Sequence, residues 1–300
     1  MIKVPHAFPY QGSKRTLAPA ISQYLPETFQ TFIEPFAGSA ALSLLMATKK
    51  QAESYVISDT NGPLMDLWEA IISSPYELSN KYECLWKSQL ENNEASYYNN
   101  IRATFNKYYT PEHLLYLLAR CVKAAIRYNS QGEFNQSRDK RRLGMRPESM
   151  RENIIAVSSL LKSRTKVFSQ DYRVTLELAK SDSVVYMDPP YQGTSGDKNK
   201  RYSQGLTYDE FIWSLEELNS RYIPYLVSYD GRTGEQQHGR ILPKHLGLKH
   251  IELHAGRSSQ ATLLGREADT YESLYLSSAL VVQLRPRTSH CQPSSPPLHI

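Results

Sequence analysis

An acid, two prolines and an aromatic ring stand in a row at Asp188-Pro189-Pro190-Tyr191, directly after the apolar run Val184-Val185-Tyr186-Met187. Such a run reads as a buried strand. The acid then falls at its C-terminal edge, where open α/β sheets bind ligands. The prolines fix the backbone and donate no N–H, so their carbonyls are left to accept. A carboxylate, a rigid carbonyl and a ring suit a planar base with an exocyclic amino group: the oxygens accept its two N–H bonds and the ring stacks on its face. Gly38 lies in a turn between an apolar run and a helix-forming stretch, where a ligand can approach the backbone and meet a helix N-terminus. Asp59 ends the next apolar run, placed to accept from two ribose hydroxyls or to cap the following turn. Between Ser137 and Arg151 there are six basic residues and two acids, a local net charge of +4. Five of the basic residues are Arg138, Lys140, Arg141, Arg142 and Arg146, and arginine suits phosphates and guanine edges.

The elements that would position these residues alternate. Thr31–Glu34 reads as a strand, 40–49 as a helix and Tyr55–Asp59 as a second strand, which makes a β-α-β unit of a parallel sheet. From about Gly62 to Asn153 the chain reads as mostly helical. Leu114, Leu117, Leu118, Cys121, Val122 and Ala125 follow the spacing of a buried helical stripe. A polar, basic loop is expected between Arg127 and Arg151. Strand patterns return at 166–168, 184–187, 224–228, 250–253 and 273–277. The expected organisation is a discontinuous α/β domain over 1–61 and 154–284, a helical insertion over 62–153, and a disordered tail over 285–300, which holds prolines and serines and little that packs.

Composition excludes several classes. No apolar run approaches the ~20 residues that span a bilayer, and no long apolar stretch follows the first basic residue, so neither a membrane span nor a secretory signal is expected. The three cysteines, Cys84, Cys121 and Cys291, are far apart, which fits a reducing cytoplasm and neither a disulfide framework nor a cysteine metal site. His250 and His254 have a metal-like spacing, but Ile251 and Leu253 alternate with them, which indicates a strand; no metal is expected. Lys14 follows Gly12 and Ser13, without the upstream glycine of a phosphate loop. The net charge of +5 is mild. The chain has 21 tyrosines against 8 phenylalanines, a bias that fits either base-stacking surfaces or ordinary snorkelling rings.

Four segments in order resemble one family. Asp188-Pro189-Pro190-Tyr191 is similar to the catalytic signature of N6-adenine DNA methyltransferases, and Ile33-Glu34-Pro35-Phe36-Ala37-Gly38-Ser39-Ala40 to their S-adenosylmethionine loop. Tyr10-Gln11-Gly12-Ser13-Lys14 resembles the aromatic-x-Gly-x-Lys segment of the Dam-like (alpha) group. Arg127-Tyr128-Asn129 through Gly132-Glu133-Phe134-Asn135 resembles that group's DNA-contacting hairpin. The resemblance runs from about residue 8 to residue 280. It implies a Rossmann-like methyltransferase sheet with an inserted helical DNA-recognition domain. It also implies a cofactor site over Tyr10, Lys14, Glu34, Pro35, Phe36, Gly38, Ser39, Asp59 and Asp188. Asp171 and Tyr172 are similar to the family's contacts to the cofactor adenine. Arg127, Asn129 and Asn135 would join the basic segment on DNA. Arg257-Ser258-Ser259-Gln260 and Glu272-Ser273-Leu274 resemble a loop near the target-contacting strand and the last strand. The family often has Gly where this chain has Ala40. Dam-like enzymes acting on GATC usually continue Phe-Asn with Val-Pro-x-Gly, whereas Gln136-Ser137-Arg138-Asp139 follows here, so the resemblance does not carry that target site with it.

The activity so implied is methyl transfer from S-adenosylmethionine to N6 of a flipped-out adenine in duplex DNA. Asp188, Pro189, Pro190 and Tyr191 would form the catalytic group. The setting would be a bacterial-type cytoplasm, nucleoid-associated, with either a solitary modification role or a partner restriction endonuclease of the same site. An adenine-N6 RNA methyltransferase and a non-catalytic DNA-binding protein on the same scaffold remain open on sequence grounds.

Overall fold

Alternation along the central strands sets up two apolar layers. Phe32, Val184, Tyr186 and Leu226 belong to one buried cluster, while Ile33, Val185, Met187, Tyr225 and Val227 belong to the other. Side chains one residue apart on a strand point to opposite faces, so these strands need helices on both sides. The computed structural model describes residues 3–190, 206–237, 240–257 and 269–284. Tyr191, Ser258–Gln260 and the tail lie outside the described residues.

The strands are β1 (Phe29–Glu34), β2 (Ala52–Asp59), β3 (Thr165–Ser169), β4 (Ser183–Met187), β5 (Tyr225–Thr233), β6 (Gln236–Gln237), β7 (Lys249–Arg257) and β8 (Asp269–Leu276). They lie in the order β3-β2-β1-β4-β5-β8-β7, with β6 paired to the tip of β5. The first five strands are mutually parallel; β8 runs antiparallel to β5, and β7 to β8. The order reverses between β1 and β4, which meet through Thr31↔Ser183, Phe32↔Val184 and Ile33↔Val185. This mixed, mostly parallel sheet with flanking helices has the expected Rossmann-like form. The pair His250 and His254 lies on β7, as their alternation indicated.

The helices are α1 (Ala18–Ile21), α2 (Ala41–Lys49), α3 (Gly62–Ser73), α4 (Pro75–Glu91), α5 (Glu94–Tyr108), α6 (Pro111–Arg120), α7 (Pro147–Leu161), α8 (Tyr172–Glu177), α9 (Tyr208–Ser220) and α10 (Ser278–Gln283). Helices α3 to α7 pack on the same face as α2: Trp68, Phe105, Leu114 and Tyr116 are buried in one cluster with Phe32 and Leu42. Helix α7 runs across position 153, so the inserted helices pass into the sheet domain without a break in structure.

One helical expectation is corrected. The apolar stripe from Leu114 predicts a helix through Ala125, but α6 stops at Arg120. Cys121 instead bridges Arg138, Val122 N donates to Ser137 O, and Lys123 and Ala124 have positive φ. Cys121 and Ala125 are still buried, so the spacing reported burial but not the conformation. The tertiary bridge overrides the local preference.

Arg120, 1% exposed, holds this junction. Its guanidinium donates to Glu94 and to the Asp139 carbonyl, and Glu94 also binds Arg138. Removing a carboxylate from a buried arginine leaves an uncompensated charge. The substitution Glu94→Ala is expected to lower stability by about 2 kcal/mol in urea denaturation, and an unchanged midpoint would show that Arg120 does not need this partner.

Candidate active site

The reversal of strand order places Glu34, at the end of β1, and Asp188, just past β4, on the edge where a doubly wound sheet leaves a crevice. Asp188 does not stand alone there. Lys14, on the N-terminal segment, places its Nζ 2.8 Å from Asp188 Oδ1 and 2.9 Å from Glu272 Oε1 on β8. Burial favours loss of the lysine proton, but the two carboxylates outweigh it and hold Lys14 protonated. Burial pushes the Asp188 carboxyl up to about 6; Lys14 opposes this and Glu272 adds to it. Beneath the site, the Tyr186 hydroxyl and Ser228 Oγ are 2.8 Å apart and tie β4 to β5. Pro189 is buried.

The turn between β1 and α2 is built around two left-handed residues, Gly38 (φ 47°) and Ala40 (φ 46°). A Cβ on Gly38 would lie 3.0 Å from the Tyr10 ring, so both conformation and close approach call for glycine. Ala40 adopts the same region with a side chain, which is why a glycine would suit this position. Asp59 braces the turn: Gly38 N donates to Oδ2 (3.2 Å) and Asn61 N to Oδ1 (3.0 Å). Of its two expected roles, turn capping is therefore present. Trp68, on α3, donates from Nε1 to the Gly38 carbonyl at 2.9 Å, and Ser39 Oγ donates to Ser13 Oγ at 2.7 Å, linking this turn to the segment that carries Lys14. Phe36 stacks on Tyr172 with centroids 5.0 Å apart. Pro35, between Glu34 and Phe36 in this turn, is buried. Asp171 caps α8 by accepting from Arg173 N and is paired with the Arg173 guanidinium, which holds its carboxyl below the usual range.

Glu34 points into the protein rather than toward the crevice mouth. Its Oε2 accepts from Ser43 N (3.0 Å) and Ser43 Oγ (2.6 Å), at the N-terminal turn of α2. A carboxylate there complements the helix dipole, yet burial is complete enough to push its carboxyl up to about 7.

On the helical side, the segment resembling a hairpin is one. Tyr128 bridges Phe134, and Asn129 N donates to Glu133 O and Asn135 N to Arg127 O. Asn129 builds the turn: its Oδ1 accepts from Gln131 N and Glu133 N, and its Nδ2 donates to Glu133. Arg127 and Asn135 are exposed. Asn106 on α5 grips the hairpin through main chain, accepting from Phe134 N and donating to Phe134 O. The Tyr128 hydroxyl donates to Asn61 Oδ1. In the basic loop, Lys140, Arg141, Arg142 and Arg146 are exposed, while Arg138 is committed to Glu94. Helix α4 pins this loop by its carbonyls: Tyr82 donates to Met145 O and Gln89 to Leu143 O. An open groove beside the hairpin is lined by Asn99, Arg102, Asn106, Lys107 and Glu133.

Sequence reasoning missed Ser43, Asn61, Trp68 and Asn106, all of which hold site elements. Asn61, two residues after Asp59 and before Pro63, carried a helix-cap signal that could have found it. The others act over distances in sequence that spacing does not show.

A doubly wound sheet bearing a Gly-containing turn after its first strand and an acid at its reversal defines a Rossmann-like transferase site. The chain belongs to the D12 class N6 adenine-specific DNA methyltransferase family, whose model matches residues 10–256. It is similar to the retron Ec67 DNA adenine methylase of Escherichia coli, 28% identical over 267 residues covering 84% of this chain and 87% of that protein. The type II methyltransferase M.MjaIII of Methanocaldococcus jannaschii is 26% identical over 67% of this chain and 73% of its own length. The DNA adenine methylase of Serratia marcescens is 28% identical over 63% and 68% respectively. The chain is an adenine-specific DNA methyltransferase, and of the readings left open on sequence grounds the family is the one that acts on DNA. Among the described residues, no group of His, Cys, Asp and Glu is arranged to hold a metal ion, and no helix is long and apolar enough to cross a membrane.

The raised Glu34 carboxyl has a consequence for stability. Its folded value of about 7 lies above the ordinary 4.5, so its stabilising contribution is complete below pH 4.5 and is lost as pH rises through 7. The loss amounts to about 3 kcal/mol. Glu34→Gln keeps an acceptor for Ser43 without the charge. Its melting temperature relative to the parent is expected to rise between pH 5 and pH 8, and a difference constant with pH would contradict the burial of an ionisable acid there.

Proposed function

We propose that the chain transfers a methyl group from S-adenosylmethionine to N6 of an adenine turned out of duplex DNA. The observation that carries this reading is Asp188 at the sheet reversal, ion-paired to Lys14 and next to the turn centred on Gly38. The residues present fit the cofactor. Gly38 keeps the turn close against the Tyr10 ring, where any side chain would clash, Asp59 offers carboxylate oxygens at a strand end, and the buried Asn61 Nδ2 has no hydrogen-bond acceptor among the described residues. Tyr10, Lys14, Glu34 to Phe36, Ser39, Asp171 and Tyr172 would complete the cofactor side, Glu34 by fixing the start of α2 and Phe36 with Tyr172 by packing on a flat ring. When bound, S-adenosylmethionine supplies an electrophilic methyl on sulfur.

The protein's part is orientation and electrostatics. The N6 lone pair of adenine is delocalised into its ring. Asp188, ionised, and the Pro189 carbonyl accept from the two N6 hydrogens and draw that lone pair out of conjugation. Pro190 keeps the backbone rigid, and Tyr191 stacks on the base. The helical segment 62–153 recognises the duplex, with Arg127, Asn135, Lys140, Arg141, Arg142 and Arg146 on DNA, Asn129 shaping the hairpin and Arg138 anchoring the loop. We read the chain as a modification methylase in a bacterial-type cytoplasm, solitary or sharing its site with a restriction endonuclease.

Two measurements test this. Asp188→Ala is expected to abolish transfer of tritiated methyl to duplex DNA while S-adenosylmethionine binding by calorimetry changes less than tenfold; retained transfer removes Asp188 from the chemistry. Replacing Lys140, Arg141 and Arg142 together by alanine is expected to weaken DNA binding on any sequence. It should also make the slope of log affinity against log salt shallower by about two to three, since each neutralised phosphate contributes about 0.9. An unchanged slope would put the DNA surface elsewhere.

A further inference from the structure

We propose that Glu272 is a positioning residue for methyl transfer: it holds the Lys14 ammonium, and through it the Asp188 carboxylate, in the pose that accepts from the adenine amino group. This rests on the reading of Asp188 given above.

The three side chains come from elements far apart in sequence, and they meet at one ammonium, 2.8 Å from Asp188 and 2.9 Å from Glu272. Their side chains are only 10% (Lys14), 20% (Asp188) and 13% (Glu272) exposed. A lysine stem has four rotatable bonds and, paired with one acid, swings about it. A second anchor across the crevice removes that freedom, so the ammonium meets Asp188 from one direction. Lys14 engages Oδ1, which leaves Oδ2 for the amino group.

Charge points the same way. One cation serves two carboxylates, and two acids in a poorly solvated site do not both ionise without one. The groups that face Asp188 among the described residues are Lys14 from the N-terminal segment, Glu272 from β8, Glu34 from β1 and the phenol of Tyr186 on β4. Of these Lys14 favours the ionised carboxylate, while Glu272 disfavours it. A strut that only joined β8 to the N-terminal segment would need the Lys14–Glu272 contact alone. Sharing the ammonium with Asp188 makes the strut part of the chemistry.

Opposite signs make the test sharp. Single-turnover methyl transfer to duplex DNA is measured against pH for the parent chain, Glu272→Gln, Lys14→Gln and Asp188→Asn, with thermal melts and S-adenosylmethionine affinity for each. Glu272→Gln is expected to lower the plateau rate about tenfold through misplacement. It should also move the acid limb of the profile down by about half a pH unit or more, since a negative neighbour is lost. Lys14→Gln moves that limb up. Glu272→Asp, which keeps the charge on a shorter arm, leaves the limb in place while the plateau falls; it also serves as the second variant if Glu272→Gln does not fold. A Glu272→Gln profile identical to the parent's, or a limb displaced in the same direction by Glu272→Gln and Lys14→Gln, overturns the assignment of Glu272. If Asp188→Asn is inactive in either case, the reading of Asp188 stands without it; full activity of Asp188→Asn removes that reading, and this one with it.

Discussion

The parallel pairing of β1 with β4 is the constraint on which the rest depends. Three residues of each strand share the ladder, and through it two halves of the sheet wound in opposite directions are held edge to edge. A crossover helix covers each half, and among the described residues none covers the line between them at the strand C-termini. The groups proposed to act in the chemistry are gathered along that line. Glu34 and Asp188 end the two strands, the Gly38 turn leaves one of them, and Lys14 reaches across from outside the sheet. If β4 slipped by one residue against β1, its two faces would exchange, and Val184 and Tyr186 would leave the core that α2 to α7 complete.

Around that crevice the backbone is held by polar groups rather than by its own preferences. Gly38 and Ala40 are both left-handed, and the turn survives because Asp59 takes the Gly38 N–H from one side while Trp68 takes its carbonyl from the other. The same economy appears in the helical part. Asn129 satisfies two backbone donors of its own turn, and a single glutamate, Glu94, is ion-paired to both the buried Arg120 and Arg138. Stability and crevice geometry are therefore not separate in this molecule: the bonds that fix the turns also fix the walls of the crevice.

Much of this was legible in the sequence, and for physical reasons. Runs such as Val184–Met187 have no period because the strand is buried on both faces, and such runs end where the acid begins. The hairpin over Arg127–Asn135 was legible only through its resemblance to the family's segment, since its composition by itself reads as a polar loop. The helix expected over Cys121–Ala125 shows the opposite case, since a helical stripe and a bridged, irregular turn with left-handed residues can bury the same side chains. Long-range polar partners were least legible. Nothing near Lys14 signals that Glu272 shares its charge, and nothing near Glu34 shows that its carboxylate turns inward to Ser43. Arg138 read as one more DNA-facing cation, yet it is spent on Glu94.

The way the hairpin and the basic loop are fastened has an evolutionary consequence. Asn106 holds the hairpin by the amide and carbonyl of Phe134, and Tyr82 and Gln89 hold the basic loop by the carbonyls of Met145 and Leu143. These clamps grasp main chain, which every residue type supplies. Outward-facing positions such as Arg127, Asn135, Lys140 and Arg141 can therefore be exchanged without disturbing the grip, so the exposed side chains of these two elements are free to vary over evolution while the scaffold beneath them stays fixed.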